Sequence, residues 1–106
     1  MMGMKLESRI SSESGIRKQV LDEIIGLAVK YGVKRVELFG SRARGDYKRT
    51  SDIDLAVRGG DIPRFRLDIE EETSTLLKFD IVDLDSQMQD ELRESIRREG
   101  KVLYEK

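Results

Sequence analysis

Gly40-Ser41-Arg42-Ala43-Arg44-Gly45-Asp46-Tyr47-Lys48-Arg49-Thr50-Ser51-Asp52-Ile53-Asp54 is the stretch on which the reading of this chain turns. Before it, Val33 to Phe39 is short and rich in Val, Leu and Phe, and Val36 and Leu38 share one face if the backbone is extended. After it, Ile53, Leu55 and Val57 alternate with Asp52, Asp54 and Ala56, the period-two pattern of a strand with one apolar face. Two strands joined by a Gly-Ser turn and a polar loop, with two carboxylates at the start of the second, predict an α/β unit built for phosphoryl chemistry.

Outward from this centre the pattern becomes helical. Ile16, Val20, Leu21, Ile24, Ile25, Leu27 and Ala28 recur at three- and four-residue spacing, which predicts a helix over 14–31 capped by Ser14 and ended by Gly32. Gly59-Gly60 ends the second strand, and Asp61 with Pro63 marks a new helix whose buried stripe is Phe65, Ile69 and later Leu76 and Leu77. Lys78 to Leu84 reads as a third strand. Asp85 or Ser86 then caps a helix carrying Met88, Leu92 and Ile96, and Gly100 closes it before a last strand at Val102–Tyr104. The expected fold is a single small α/β (α+β) domain over 14–106, with 1–13 as an N-terminal arm or a first short element.

Composition narrows the chemistry. The chain has 106 residues, room for one core, and folding at this size buries about two-thirds of the unfolded surface. Lys and Arg number 20 against 21 Asp and Glu, so the net charge of −1 gives no reason to expect nucleic acid or an anionic membrane as partner. With no Cys and no His, thiolate nucleophiles, Cys-type zinc sites and the commonest general base are excluded. Catalysis must rest on carboxylates, basic residues and a hard cation. No apolar run is long enough to span a membrane and the N-terminus lacks a signal peptide's apolar core, so the expected location is cytoplasmic.

At the turn, Gly40 allows close backbone approach to a phosphate and Ser41 adds a hydroxyl donor. Alone, a Gly-Ser after a strand is more often a tight turn. Asp52 and Asp54 change that weighing, because two carboxylates on the same strand face repel unless a cation lies between them, and magnesium prefers such hard oxygen ligands beside phosphates. Asp80, inside an otherwise apolar third strand, is the candidate third carboxylate, with Asp83 as the alternative. Among Arg42, Arg44, Lys48 and Arg49, Arg44 is the first candidate for neutralising phosphate charge. Tyr47 either stacks on a base or packs against the strand.

Gly40-Ser41, Asp52-Ile53-Asp54 and Asp80 resemble, in order and spacing, the signature of nucleotidyltransferases related to DNA polymerase β. With FDIVDLD and EGKVLYE further on, the chain over roughly residues 16–105 looks like the minimal nucleotidyltransferase group, described as MntA-type antitoxins of HEPN/MNT pairs. The resemblance implies a mixed sheet flanked by helices, two Mg2+ ions on Asp52, Asp54 and Asp80, and ATP phosphates at Gly40 and Ser41 beside Arg44. It also implies transfer of AMP to a tyrosine of a HEPN-type toxin partner. Larger relatives carry extra domains for the acceptor, and no such segment is evident here, which favours a protein acceptor. A non-catalytic antitoxin acting by occlusion, and transfer to a small molecule such as an aminoglycoside, are the alternatives. An exposed apolar face on the first or last helix would serve a homodimer or the partner.

Overall fold

Residues 9–106 are described in a computed structural model, so most of the 1–13 arm lies outside the described residues. Residues 9–14 are helical, and Ile10 within them joins the main core. Four further helices follow, α1 (Lys18–Lys30), α2 (Ser41–Arg44), α3 (Ile62–Glu72) and α4 (Asp90–Glu99). They alternate with strands β1 (Arg35–Phe39), β2 (Ile53–Arg58), β3 (Phe79–Asp83) and β4 (Lys101–Glu105).

The strands form one mixed sheet in the order β3-β2-β1-β4. β1 runs antiparallel to both β2 and β4, whereas β2 and β3 are parallel, with α3 as the crossover between them. Alternation divides the side chains between two faces. Val36, Leu38, Ile53, Leu55 and Val57 join α1 and α3 in the main core through Leu21, Ile24, Phe65 and Ile69. On the other face Phe39, Ala56 and Leu84 meet Ile96 of α4, with Val82, Met88 and Leu92 packed around them. The arrangement is the α+β architecture with a mixed sheet expected above.

Several boundaries differ from the sequence reading, each for a local reason. α1 starts at Lys18, because Ser14 ends the preceding helical segment and accepts the Ile16 N–H at 3.2 Å rather than capping α1. Its end is as expected: Tyr31 and Gly32 close the last turn, with Gly32 at φ 69°. Asp61 does cap α3, accepting the Arg64 N–H at 3.2 Å, with Pro63 in the first turn. But α3 ends at Glu72, so Leu76 belongs to no buried stripe and is fully exposed on the following loop. That loop is tied down instead by polar contacts: Glu23 accepts from the Ser74 N–H at 2.7 Å and from its hydroxyl at 2.6 Å. Asp85 and Ser86 do not cap α4, whose N-cap is Gln89. They form a turn closing β3, in which Asp83 Oδ1 accepts the Asp85 N–H at 2.9 Å.

Candidate active site

β1 ends at Phe39 and the chain reverses at once through Gly40 into α2. Gly40 adopts φ 76° and ψ −157°, a region open in practice to glycine alone. A Cβ there would also fall within the van der Waals shell of Asp54 Oδ2, since Phe39 and Asp54 are register partners across β1 and β2. The glycine is therefore what lets the turn and the carboxylate occupy adjoining space. The Gly40 carbonyl accepts from Ala43 and Arg44 N–H at 3.1 and 3.0 Å, and half-buried Ser41 opens α2. The first amides of such a turn have no intrahelical partner.

The three candidate carboxylates come from two neighbouring strands. Asp54 and Asp80 are register partners across the parallel β2–β3 pair, so both lie on the sheet face that α4 covers further along. Asp52 precedes β2 by one residue, two before Asp54. Asp54 is half-buried, while Asp52 and Asp80 are exposed. Asp80 sits on the outer strand, where water reaches it, so it is not the buried charge that its apolar neighbours suggest; its register with Asp54 is what places it. Asp83, the alternative, lies at the far end of β3 in the turn that includes Asp85.

Electrostatically this is a frustrated site. Burial raises the Asp54 carboxyl from its usual 3.8 to about 6, Asp80 and then Asp52 add repulsion, and the Arg44 guanidinium opposes them. Among the described residues no three carboxylates are drawn together into a ready cage for a metal. The donor set nonetheless fits a hard divalent cation: oxygen ligands only, like charges in mutual repulsion, and an adjoining turn suited to phosphate.

Arg44 is half-exposed and bridges Asp46 at 3.2 Å and Glu99 of α4 at 3.1 Å. The Asp46 carboxylate first, and Glu99 with it, hold its pKa above the ordinary guanidinium value. Glu99 had no signal in the sequence, because it reaches Arg44 only after the sheet brings α4 over the turn.

Arg42 turns the other way. It is 2% exposed, and its guanidinium donates to Ser14 O (2.9 Å), Ser51 O (3.0 Å), Arg49 O (3.1 Å) and Lys48 O (3.3 Å). The Tyr47 ring lies 4.8 Å from its Cζ and packs against Gly15, so Tyr47 packs inward. Arg42 is thus a structural cation that shapes the loop leading to Asp52. Arg42→Lys is expected to cost about 2 kcal/mol, since an ammonium cannot satisfy four carbonyls in a planar fork. Chemical denaturation of the variant checks this, and an unchanged midpoint would contradict the assignment.

Comparison with known proteins places this geometry in context. The family model described as polymerase beta nucleotidyltransferase matches residues 22–106. A Methanocaldococcus jannaschii protein named "Putative protein adenylyltransferase MJ0604" is 35% identical over 98 residues, covering 82% of this chain and 96% of its own. Another from that organism, "Putative protein adenylyltransferase MJ0435", is 41% identical over 59 residues, which are 50% of this chain and 63% of that protein. The match to MJ0435 therefore spans slightly less than two-thirds of its length. Among solved structures, a toxin-antitoxin crystal structure with AMP-PNP aligns at TM-score 0.66 and 28% identity, over 81% of this chain and 73% of that one.

Proposed function

The chain belongs to the polymerase beta nucleotidyltransferase family, and on that premise we propose that it transfers AMP from ATP to a hydroxyl of a toxin-type protein partner, a tyrosine of a HEPN-type protein being the expected acceptor. The observation that carries the reading is the juxtaposition of Asp54, Asp80 and the Gly40 turn, with Asp52 two residues away. The relatives' names, and the nucleotide analogue in the similar toxin-antitoxin structure, support the donor and the class of partner.

In this reading the Gly40–Ser41 turn receives the phosphates and Arg44, steadied by Asp46 and Glu99, offsets their charge. Asp52, Asp54 and Asp80 would hold Mg2+, which supplies charge neutralisation at the triphosphate and acidifies the acceptor hydroxyl. The hydroxyl oxygen attacks the α-phosphorus, the bond from that phosphorus to the bridging oxygen breaks, and pyrophosphate leaves. The hydroxyl proton passes to a carboxylate oxygen of Asp80, which solvent can reach.

The test is to incubate the chain, its genomic neighbour's product and Mg2+ with ATP labelled at either the α- or the γ-phosphate. Label from the α position should appear on the partner and vanish when EDTA removes the metal, while γ-label should stay off it. Transfer of the γ-label would refute AMP transfer. Tight binding with neither label transferred would favour neutralisation by occlusion.

A further inference from the structure

Between α3 and the outer edge of β3 runs a groove of about 580 Å3, lined by Pro63, Leu67, Phe79 and Ile81, with Arg66, Glu70, Glu71 and Asp80 at its margins. Resting on the transfer reading above, we infer that this groove is the acceptor subsite, and that its occupant is an extended, cationic segment of the partner protein carrying the hydroxyl to be modified.

Three observations lead there. Strand order is the first. The phosphate turn follows β1 and the carboxylates lie on β2 and β3, so a donor at the turn leaves the β3 side as the open approach for an acceptor, and the groove meets the site at Asp80. The second is backbone chemistry. β3 is an outer strand, and the Ile53 N–H to Lys78 O bond at 2.8 Å fixes the phase of its ladder. In that phase the N–H and C=O of Phe79 and the N–H of Ile81 point away from β2, while Ile81 O accepts from Arg66 at 3.2 Å. Such an edge pairs readily with an added strand.

The third is charge. Among the described residues lining the groove, the carboxylates Glu70, Glu71 and Asp80 outnumber the one cation, Arg66, which donates to Ile81 O, and Leu67 beside them is 58% exposed. The groove therefore suits lysine or arginine, whose aliphatic stems can lie on Leu67, Phe79 and Ile81 while their charges reach the glutamates.

Together these specify a pattern. On a strand added to β3, alternate residues point to opposite faces. A hydroxyl residue on the Asp80 face places its two immediate neighbours on the α3 face, toward Glu70 and Glu71. The preferred acceptor is thus a tyrosine, serine or threonine with a basic residue directly before or after it.

The test uses fluorescein-labelled peptides of one sequence, with Lys-Tyr-Lys or Glu-Tyr-Glu at the centre, and reads their binding by anisotropy without requiring catalysis. The Lys-flanked peptide should bind at least about tenfold more tightly, a difference of ~1.4 kcal/mol, and the exposed double variant E70K/E71K should reverse the preference while ATP affinity stays unchanged. Equal binding of the two peptides, no binding of either, or a preference indifferent to the double variant would overturn the subsite. Charge-selective binding without AMP transfer to the tyrosine would leave the subsite standing and refute the transfer reading instead.

Discussion

Asp54→Asn should abolish transfer and stabilise the fold at the same time. The loss of activity is expected to be at least about 10³-fold, the order seen when a preorganised electrostatic contact to a developing charge is removed. The gain in stability follows from the direction in which the Asp54 pKa moves. Its carboxyl titrates at about 6 in the folded chain against 3.8 ordinarily, so the folded state holds the proton more tightly than the unfolded chain does. Stability from this group is fully present below pH 3.8 and is lost as pH rises through 6, leaving the native carboxylate a liability at neutral pH.

In a fully buried group a change of that size would be equivalent to roughly 3 kcal/mol. Asp54 is only half-buried and water screens the repulsion, so about 1 kcal/mol is the expected gain of the amide at pH 7. For a chain of this size that raises Tm by several degrees. Thermal melts of both proteins from pH 7 to pH 4 check it: the difference should shrink on acidification. Added Mg2+ should raise the native Tm and leave the variant's nearly unchanged. A variant less stable than the native chain at neutral pH would sink this account of the site.

The second large effect is expected at Gly40. Gly40→Ala meets two obstacles, the glycine-only backbone geometry and the Asp54 carboxylate in the space a methyl would take. Destabilisation of about 2 kcal/mol is expected from the backbone alone. Displacement of Asp54 by around an ångström should lower transfer by about 10²-fold further than the stability loss explains. Gly45→Ala is the control. Gly45 is also left-handed, at φ 94°, but a Cβ there meets nothing within 4 Å, so only the backbone cost of about 1 kcal/mol applies. If both variants lose activity equally, the contact between Gly40 and Asp54 is not what positions the carboxylate.

Strands β1 and β2, the glycine end of α1 and the Asp61 cap were legible because each rests on local rules: alternation, left-handed glycine, a side chain reaching three residues on. The relative placement of two candidate carboxylates was legible for a related reason, since Asp54 stands in β2 and Asp52 one residue before that strand, two positions apart. What escaped depended on tertiary placement. Ser14 has the chemistry of a cap, but its hydroxyl accepts the Ile16 N–H and its carbonyl accepts from the buried guanidinium of Arg42, so neither is left for α1. Asp80 stands out in the sequence for a burial it does not have; only the strand order, invisible in one sequence, puts it opposite Asp54 on an edge. Arg42 and Arg44 are two residues apart and look alike in sequence, but a short helical turn sends one into the interior and one to the surface.

Arg42 also explains why the interval between the two halves of the motif should resist drift over evolutionary time. Its guanidinium grips three carbonyls, of Lys48, Arg49 and Ser51, within the segment that separates Ser41 from Asp52. An ordinary surface loop accepts insertions and deletions with little consequence. Here a single added or lost residue would move those carbonyls out of the fork's reach and strand a buried cation, so the loop acts as a ruler that holds phosphate turn and carboxylates at a fixed separation.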